Sequence, residues 1–92
     1  MKNLQPTTQY RKDLKRFKHQ PQKLAELNKI LKLLSNEQPI PNEYQPHLLS
    51  GNYKGCLECH FEGDFLQIWI DEKRDIIELV RLGSHSEFFG KN

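Results

Sequence analysis

Apolar residues change their spacing part-way along this chain, and no single type of secondary structure fits both spacings. Between residues 10 and 34 they recur every three or four positions: Tyr10, Leu14 and Phe17, then Leu24, Leu27, Leu31 and Leu34, with Ile30 widening the second set. Each set is one stripe on a helix. Beyond residue 53 the spacing falls to two, as on the pleated face of a strand. A chain of 92 residues has material for one core. Helices and strands must share it, which predicts an α+β fold in a single domain over residues 1–92.

Local signals set the boundaries. Residues 2–6 read as a short first strand ended by Pro6, and Thr7 or Thr8 offers a hydroxyl to cap the helix that follows. Gln20-Pro21 interrupts that helix, and Pro21 suits the first position of a second one. The result is a two-helix hairpin over residues 8–36. Three prolines (Pro39, Pro41, Pro46) with Asn42, Ser50 and Gly51 then mark a long irregular loop. Strands are expected at 53–61, 65–70 and 76–82, joined by turns at 62–64 and 71–75, forming a three-stranded antiparallel meander packed on the helices (53–83), with a C-terminal tail (84–92). Leu57, Cys59 and Phe61 share one parity; Leu66, Ile68, Ile70, Val80 and Leu82 are assigned to the same core face. His60, Trp69 and Arg81 then fall together on the other face. Glu78 breaks this pattern and predicts an edge or a bulge.

Charge is divided unevenly. Residues 1–36 carry nine basic and two acidic side chains, and residues 37–92 carry five basic and ten acidic. A basic helical layer beside an acidic-to-neutral sheet suits a polyanion approaching one side, although lysines on a helix are more often simply solvated. No apolar run approaches the ~20 residues of a membrane helix. The start MKNLQPTT has no apolar signal segment, and with only two cysteines a reduced cytoplasm is the expected compartment.

Chemistry concentrates in a few places. Arg81-Leu82-Gly83-Ser84-His85-Ser86-Glu87-Phe88-Phe89 delivers an arginine, a histidine and aromatics within nine residues, while His47 and His60 lie upstream. Cys56-Leu57-Glu58-Cys59-His60 matches the spacing of haem attachment, but on a strand the two cysteines face opposite ways, so they read as packed thiols. A zinc site from Cys59, His60 and His85 would lack a second cysteine pair, and no metal or other cofactor is expected. His19, near the end of the first helix, reads as a solvated or dipole-compensating side chain. Two histidines near neutrality and an arginine fork are what cleavage of RNA by its own 2′-hydroxyl requires: a base, an acid and a cation for the charge on phosphorus.

Three blocks carry a resemblance. Tyr44-Gln45-Pro46-His47-Leu48-Leu49-Ser50-Gly51 with Lys54-Gly55, then Glu58-Cys59-His60-Phe61-Glu62-Gly63-Asp64, then Arg81 to Phe89, are similar to the YafQ family within the RelE-like toxins. The resemblance implies a RelE-like fold and a type II toxin that cuts mRNA in the ribosomal A site. It implies His60 and His85 as acid and base, Arg81 at the phosphate, His47 and Asp64 placing the RNA or tuning the histidines, and Phe89, Phe65 and Lys54 contacting RNA. It also implies a RelB- or DinJ-like antitoxin as partner, contact with the ribosome through 16S rRNA, and DNA binding only through the antitoxin complex. Phe65 stands where the family commonly has tryptophan, Pro46 where an aspartate precedes the first histidine, and Leu57 where arginine is frequent. Two other classes stay open: a gyrase-targeting toxin of the same fold, and a binding module without catalysis.

Overall fold

The computed structural model describes residues 1–72 and 75–89. The turn expected through Lys73 and Arg74, and the last three positions of the tail, lie outside the described residues. In chain order the elements are β1 (Asn3–Pro6), α1 (Thr8–Arg16), α2 (Pro21–Ser35), β2 (His47–Leu48), β3 (Leu57–Phe61), β4 (Phe65–Glu72), β5 (Ile76–Ser84) and α3 (His85–Phe89), with single 3₁₀ turns at Asn42–Tyr44 and Gly51–Tyr53. The helix signals act as expected. Thr7 Oγ1 accepts from the Tyr10 N–H at 3.0 Å, and Pro21 opens α2. No described helix is long and apolar enough to cross a membrane.

The sheet has five strands in the order β1-β5-β4-β3-β2. The meander β3-β4-β5 is antiparallel, β1 lies parallel to β5, and the two-residue β2 adds to the far edge. The third strand starts at Leu57 rather than at residue 53, because Gly51–Tyr53 forms a 3₁₀ turn. The β3–β4 turn is tight, with positive φ at Glu62 (48°) and Gly63 (78°).

That turn decides which side chains share a face, and here the expected parity fails. Phe61 pairs with Phe65, Cys59 with Gln67 and Leu57 with Trp69, so odd-numbered residues of β3 and β4 face the same way. Phe61, Phe65, Trp69, Ile77, Leu79 and Leu82 pack with Tyr10, Phe17, Leu27, Ile30 and Leu34 of the helical layer. Trp69 is therefore core, not an exposed neighbour of His60. Leu66 and Ile68 point away from the helices and form a second, smaller cluster with Cys56, against Leu49, Tyr53, Ile70, Val80 and Phe88. Both faces of β4 are covered, so its sequence shows no alternation to read.

A bulge restores the expected face at Arg81. Ile68 pairs with Arg81 but Trp69 pairs with Leu79, so Val80 is an extra residue. It lies two positions beyond Glu78, where the irregularity was expected. Without it Arg81 would follow Leu79 into the helix-side core; with it Leu82 takes that place and Arg81 turns outward.

On α1 the apolar stripe is only partly used for packing. Tyr10 and Phe17 are buried, but Leu14 is 37% exposed and Asp13 is wholly buried. The Tyr10 hydroxyl donates to Gln67 Oε1 inside the core, and among the described residues Gln67 Nε2 has no partner. Removing a buried partner leaves the other group desolvated and unpaired, a penalty of about 1–3 kcal/mol. Tyr10→Phe should lower stability in urea unfolding by that order, and adding Gln67→Leu should recover most of the loss.

Candidate active site

The site begins with an acid between two bases. β2 pairs with β3 so that His47 stands opposite Glu58, and His60 follows Glu58 two residues on, on the same face. His47 Nε2 lies 3.0 Å and His60 Nε2 2.8 Å from the same oxygen, Glu58 Oε1. Glu58 is 2% exposed, and its second oxygen has no partner among the described residues. His47 Nδ1 is 2.7 Å from the Gln45 carbonyl oxygen, which can only accept. Nδ1 of His47 therefore carries a proton. When Nε2–H of His60 donates to Glu58, its Nδ1 presents a lone pair, and no described residue bonds to that nitrogen.

The third histidine arrives from another element. Ser84 and Glu87 form a reciprocal cap at the start of α3: the Glu87 N–H donates to Ser84 Oγ at 3.2 Å, and the Ser84 N–H to Glu87 Oε1 at 3.4 Å. The tail expected at 84–92 thus begins as a short helix, with His85 and Phe89 one turn apart. The His85 N–H donates to the Asp64 carbonyl at 3.0 Å, tying α3 to the β3–β4 turn. Arg16 of α1 pairs with Glu87 from the other side. The rings then form a row: His47–His60 centroids at 5.8 Å, His60–His85 at 6.2 Å and His85–Phe89 at 5.0 Å. Tyr53 closes the end of the row, 5.8 Å from Phe89.

Arg81 borders the row through Phe88. Its guanidinium carbon lies 4.6 Å from the Phe88 ring centroid, and the Tyr53 ring is 6.5 Å from Phe88. Asp13 accepts from Arg81 Nε at 2.8 Å and from Nη2 at 3.2 Å. This pairing holds the guanidinium strongly in its charged form.

The residues singled out in the sequence meet different fates. His47, His60, His85 and Phe89 come together, with Arg81 alongside. Asp64 joins through its backbone carbonyl, while its side chain is exposed in the turn; Lys54 is exposed just after the 3₁₀ turn. Phe65 does not join. Its ring is 5% exposed, edge-on to Phe17 at 4.3 Å and Phe61 at 5.4 Å, because the three-residue turn sends it to the helix side. That leaves it no free face for a base. His19 is exposed in the turn between the helices, outside the site. Cys59 lies in the helix-side core and Cys56 in the opposite cluster; burial pushes the Cys59 thiol up to about 12. Sequence reading passed over Glu58, Tyr53 and Asp13; of the tail pair Phe88 and Phe89, expected to give one ring to the core and one to a base, Phe88 is the one packed against a buried cluster. The signal for Glu58 was its parity with His60, and for Asp13 its place between Tyr10 and Phe17 on a basic helix.

His47, Glu58 and His60 also place three ligand atoms within 4.8 Å of one another. Two imidazoles and a carboxylate suit a borderline transition-metal ion.

A family model described as bacterial toxin of type II toxin–antitoxin system, YafQ, matches residues 2–90. The chain belongs to this family. It is 30% identical over 91 residues to the mRNA interferase toxin YafQ of Escherichia coli K12, covering 97% of each chain. Among solved structures it is similar to a metal-bound toxin from Helicobacter pylori, at 37% identity and a TM-score of 0.86 over 97% of this chain and all of that one. YafQ in the E. coli DinJ–YafQ complex matches at 26% identity and a TM-score of 0.84, over 98% of this chain and all of that one. The α+β, RelE-like architecture expected from the resemblance is the one shared with these structures.

The close fit of α3 has a consequence that can be measured. A Cβ at Gly83 would lie 2.5 Å from Glu87 Oε1 and 2.8 Å from Phe88 Cζ. Gly83→Ala should therefore displace α3 and with it His85. The expected result is shifted His85 ring resonances in NMR spectra with the amide pattern of α2 and β3 retained.

Proposed function

We propose that this toxin is an endoribonuclease that cuts mRNA in the ribosomal A site through attack of the 2′-hydroxyl on the adjacent phosphorus. The observation that carries the reading is the row His47, His60, His85, Phe89 with Arg81 beside it. Glu58 favours the His60 tautomer with a free Nδ1 lone pair, which suits a base for the 2′-hydroxyl proton. His85, exposed at the start of α3, suits the acid that protonates the departing 5′-oxygen. The bond from phosphorus to the 5′-oxygen breaks as the 2′-oxygen bond forms, giving a 2′,3′-cyclic phosphate and a 5′-hydroxyl. Arg81 balances the charge gained on phosphorus. Phe89 and Tyr53 offer ring faces to a base. His47, Asp64 and Lys54 place the strand.

The exposed Arg11, Lys12, Lys15 and Lys18 on and after α1 suit contact with 16S rRNA. YafQ of E. coli is in complex with DinJ in a related structure. The corresponding partner here is a cognate RelB- or DinJ-like antitoxin, with DNA reached only through that complex and the cytoplasm as the working compartment.

Metal at the triad would act against this chemistry. A bound ion would be held by His47, Glu58 and His60 and would take the lone pairs that proton transfer uses. A similar toxin from Helicobacter pylori is metal-bound in its crystal structure.

The test is cleavage of end-labelled mRNA on programmed ribosomes. His85→Ala should slow cutting by about 10²–10⁴-fold, the usual contribution of a positioned acid or base, with antitoxin binding unchanged. Pretreating the toxin with a chelator and removing the chelator before the assay should leave the wild-type rate intact, and excess Zn²⁺ should depress it. Undiminished cutting by His85→Ala would sink the catalytic reading. No cutting at all by a folded, toxic wild type would point to the gyrase-targeting or binding-only class.

A further inference from the structure

α1 is a basic helix with one acid in it. That acid, Asp13, is wholly buried, while its charged neighbours Arg11, Lys12, Lys15 and Arg16 are exposed. Its location follows from the end of β1. The parallel pairing of β1 with β5 stops at Pro6 and Leu79, and the Thr7 N–H and hydroxyl donate to the carbonyls of Leu79 (2.9 Å) and Val80 (3.1 Å). Past that point the edge of β5 is open, and the Leu82 N–H there donates to Asp13 Oδ2 at 3.0 Å. A carboxylate bonded to that backbone group stands at the strand edge, where Arg81 can reach it from the outer face.

The contact is a fork. Nε and Nη2 of Arg81 bind the two oxygens of Asp13, and Gln9 Nε2 adds a third side-chain donor at 3.2 Å. Burial by itself would raise the Asp13 carboxyl, but the hydrogen bonds from Arg81, Leu82 and Gln9 together outweigh it and hold it below the ordinary carboxylate range. With one edge fixed by Asp13 and one face resting on Phe88, the guanidinium has little rotational freedom. Of the five guanidinium N–H groups, two are committed to Asp13 and the Tyr53 side chain is a further, weaker partner, which leaves at least two donors. Those are the donors a phosphate would need. Arg16, 4.0 Å from Asp13, also holds Glu87 of α3. The same end of α1 therefore braces both the arginine and the helix that carries His85.

We infer that Asp13 is a positioning residue for the cleavage reaction: it fixes the plane and reach of the Arg81 guanidinium so that its remaining donors meet the scissile phosphate. The inference rests on the catalytic reading of Arg81. A misplacement of this kind costs on the order of 10–100-fold in rate.

Single-turnover cleavage on programmed ribosomes tests it, with ribosome affinity measured in parallel. The variants are Arg81→Ala, Asp13→Asn, Asp13→Glu and the Arg81→Ala/Asp13→Asn pair, each checked for fold by circular dichroism. Asp13→Asn should lose rate but not ribosome affinity, and should add no further loss to Arg81→Ala, because the two act as one unit. Asp13→Glu keeps the charge and moves the fork by one methylene. It carries the test if the asparagine variant does not fold, and a slowed rate with intact ribosome affinity is again expected. A wild-type rate in a folded Asp13 variant, or a loss additive with that of Arg81→Ala, would overturn the inference. A wild-type rate in Arg81→Ala would overturn the catalytic reading of the arginine itself, and the inference with it.

Discussion

The carboxylate of Asp13 joins parts of the molecule that the chain itself leaves separate. It comes from the helical layer, yet it satisfies a backbone group on the sheet edge and a cation that faces away from the helices. Burying an acid without partners is costly, and burying one with three or more donors converts that cost into a strict geometric demand. The demand here is that α1 sit at one position along β5, just beyond the last residue paired with β1. The cap at Thr7, the end of β1 and the bulge at Val80 all lie within a few residues of that point.

The bulge and the turn at 62–64 together sort the chemistry from the packing. A three-residue turn commits the odd-numbered residues of β3 and β4 to the helix side, which sends Phe65 and Trp69 inward and Glu58 and His60 outward. One extra residue in β5 keeps Leu82 inside and turns Arg81 out. The outer face is then roofed by Leu49, Tyr53 and Phe88 rather than by a long helix. A short capped helix supplies His85 at the rim. The candidate site is thus built from five segments, none of them close in sequence to all the others.

Much of this is legible in the sequence. The change from helical to strand spacing, the Thr7 cap, Pro21 and the Glu62-Gly63 turn are local signals, and local signals survive folding. The cluster His60, Arg81, His85 and Phe89 was legible because three spaced blocks resemble one toxin family. The face assignment of β4 was not. Phe65-Leu66-Gln67-Ile68-Trp69-Ile70 is buried on both sides, so apolar content alone cannot say which half meets the helices, and only the turn length decides. β2 was missed because two residues carry no periodicity. Asp13 and Glu58 were passed over for a shared reason: a carboxylate in sequence reads as surface, and only tertiary pairing reveals it as buried.

The sheet separates two environments of unequal size. Its helix side holds the larger cluster, including all the long apolar residues of α1 and α2 that are buried. Its outer side holds a thin layer of loop and single-turn elements over Leu66 and Ile68. Regions with few buried apolar contacts open at lower free energy than a core does. The layer that carries the histidine row can therefore open at a lower cost than the helix-side core. Selection can also reshape the roof, residue by residue, without spending the stability that keeps the protein folded.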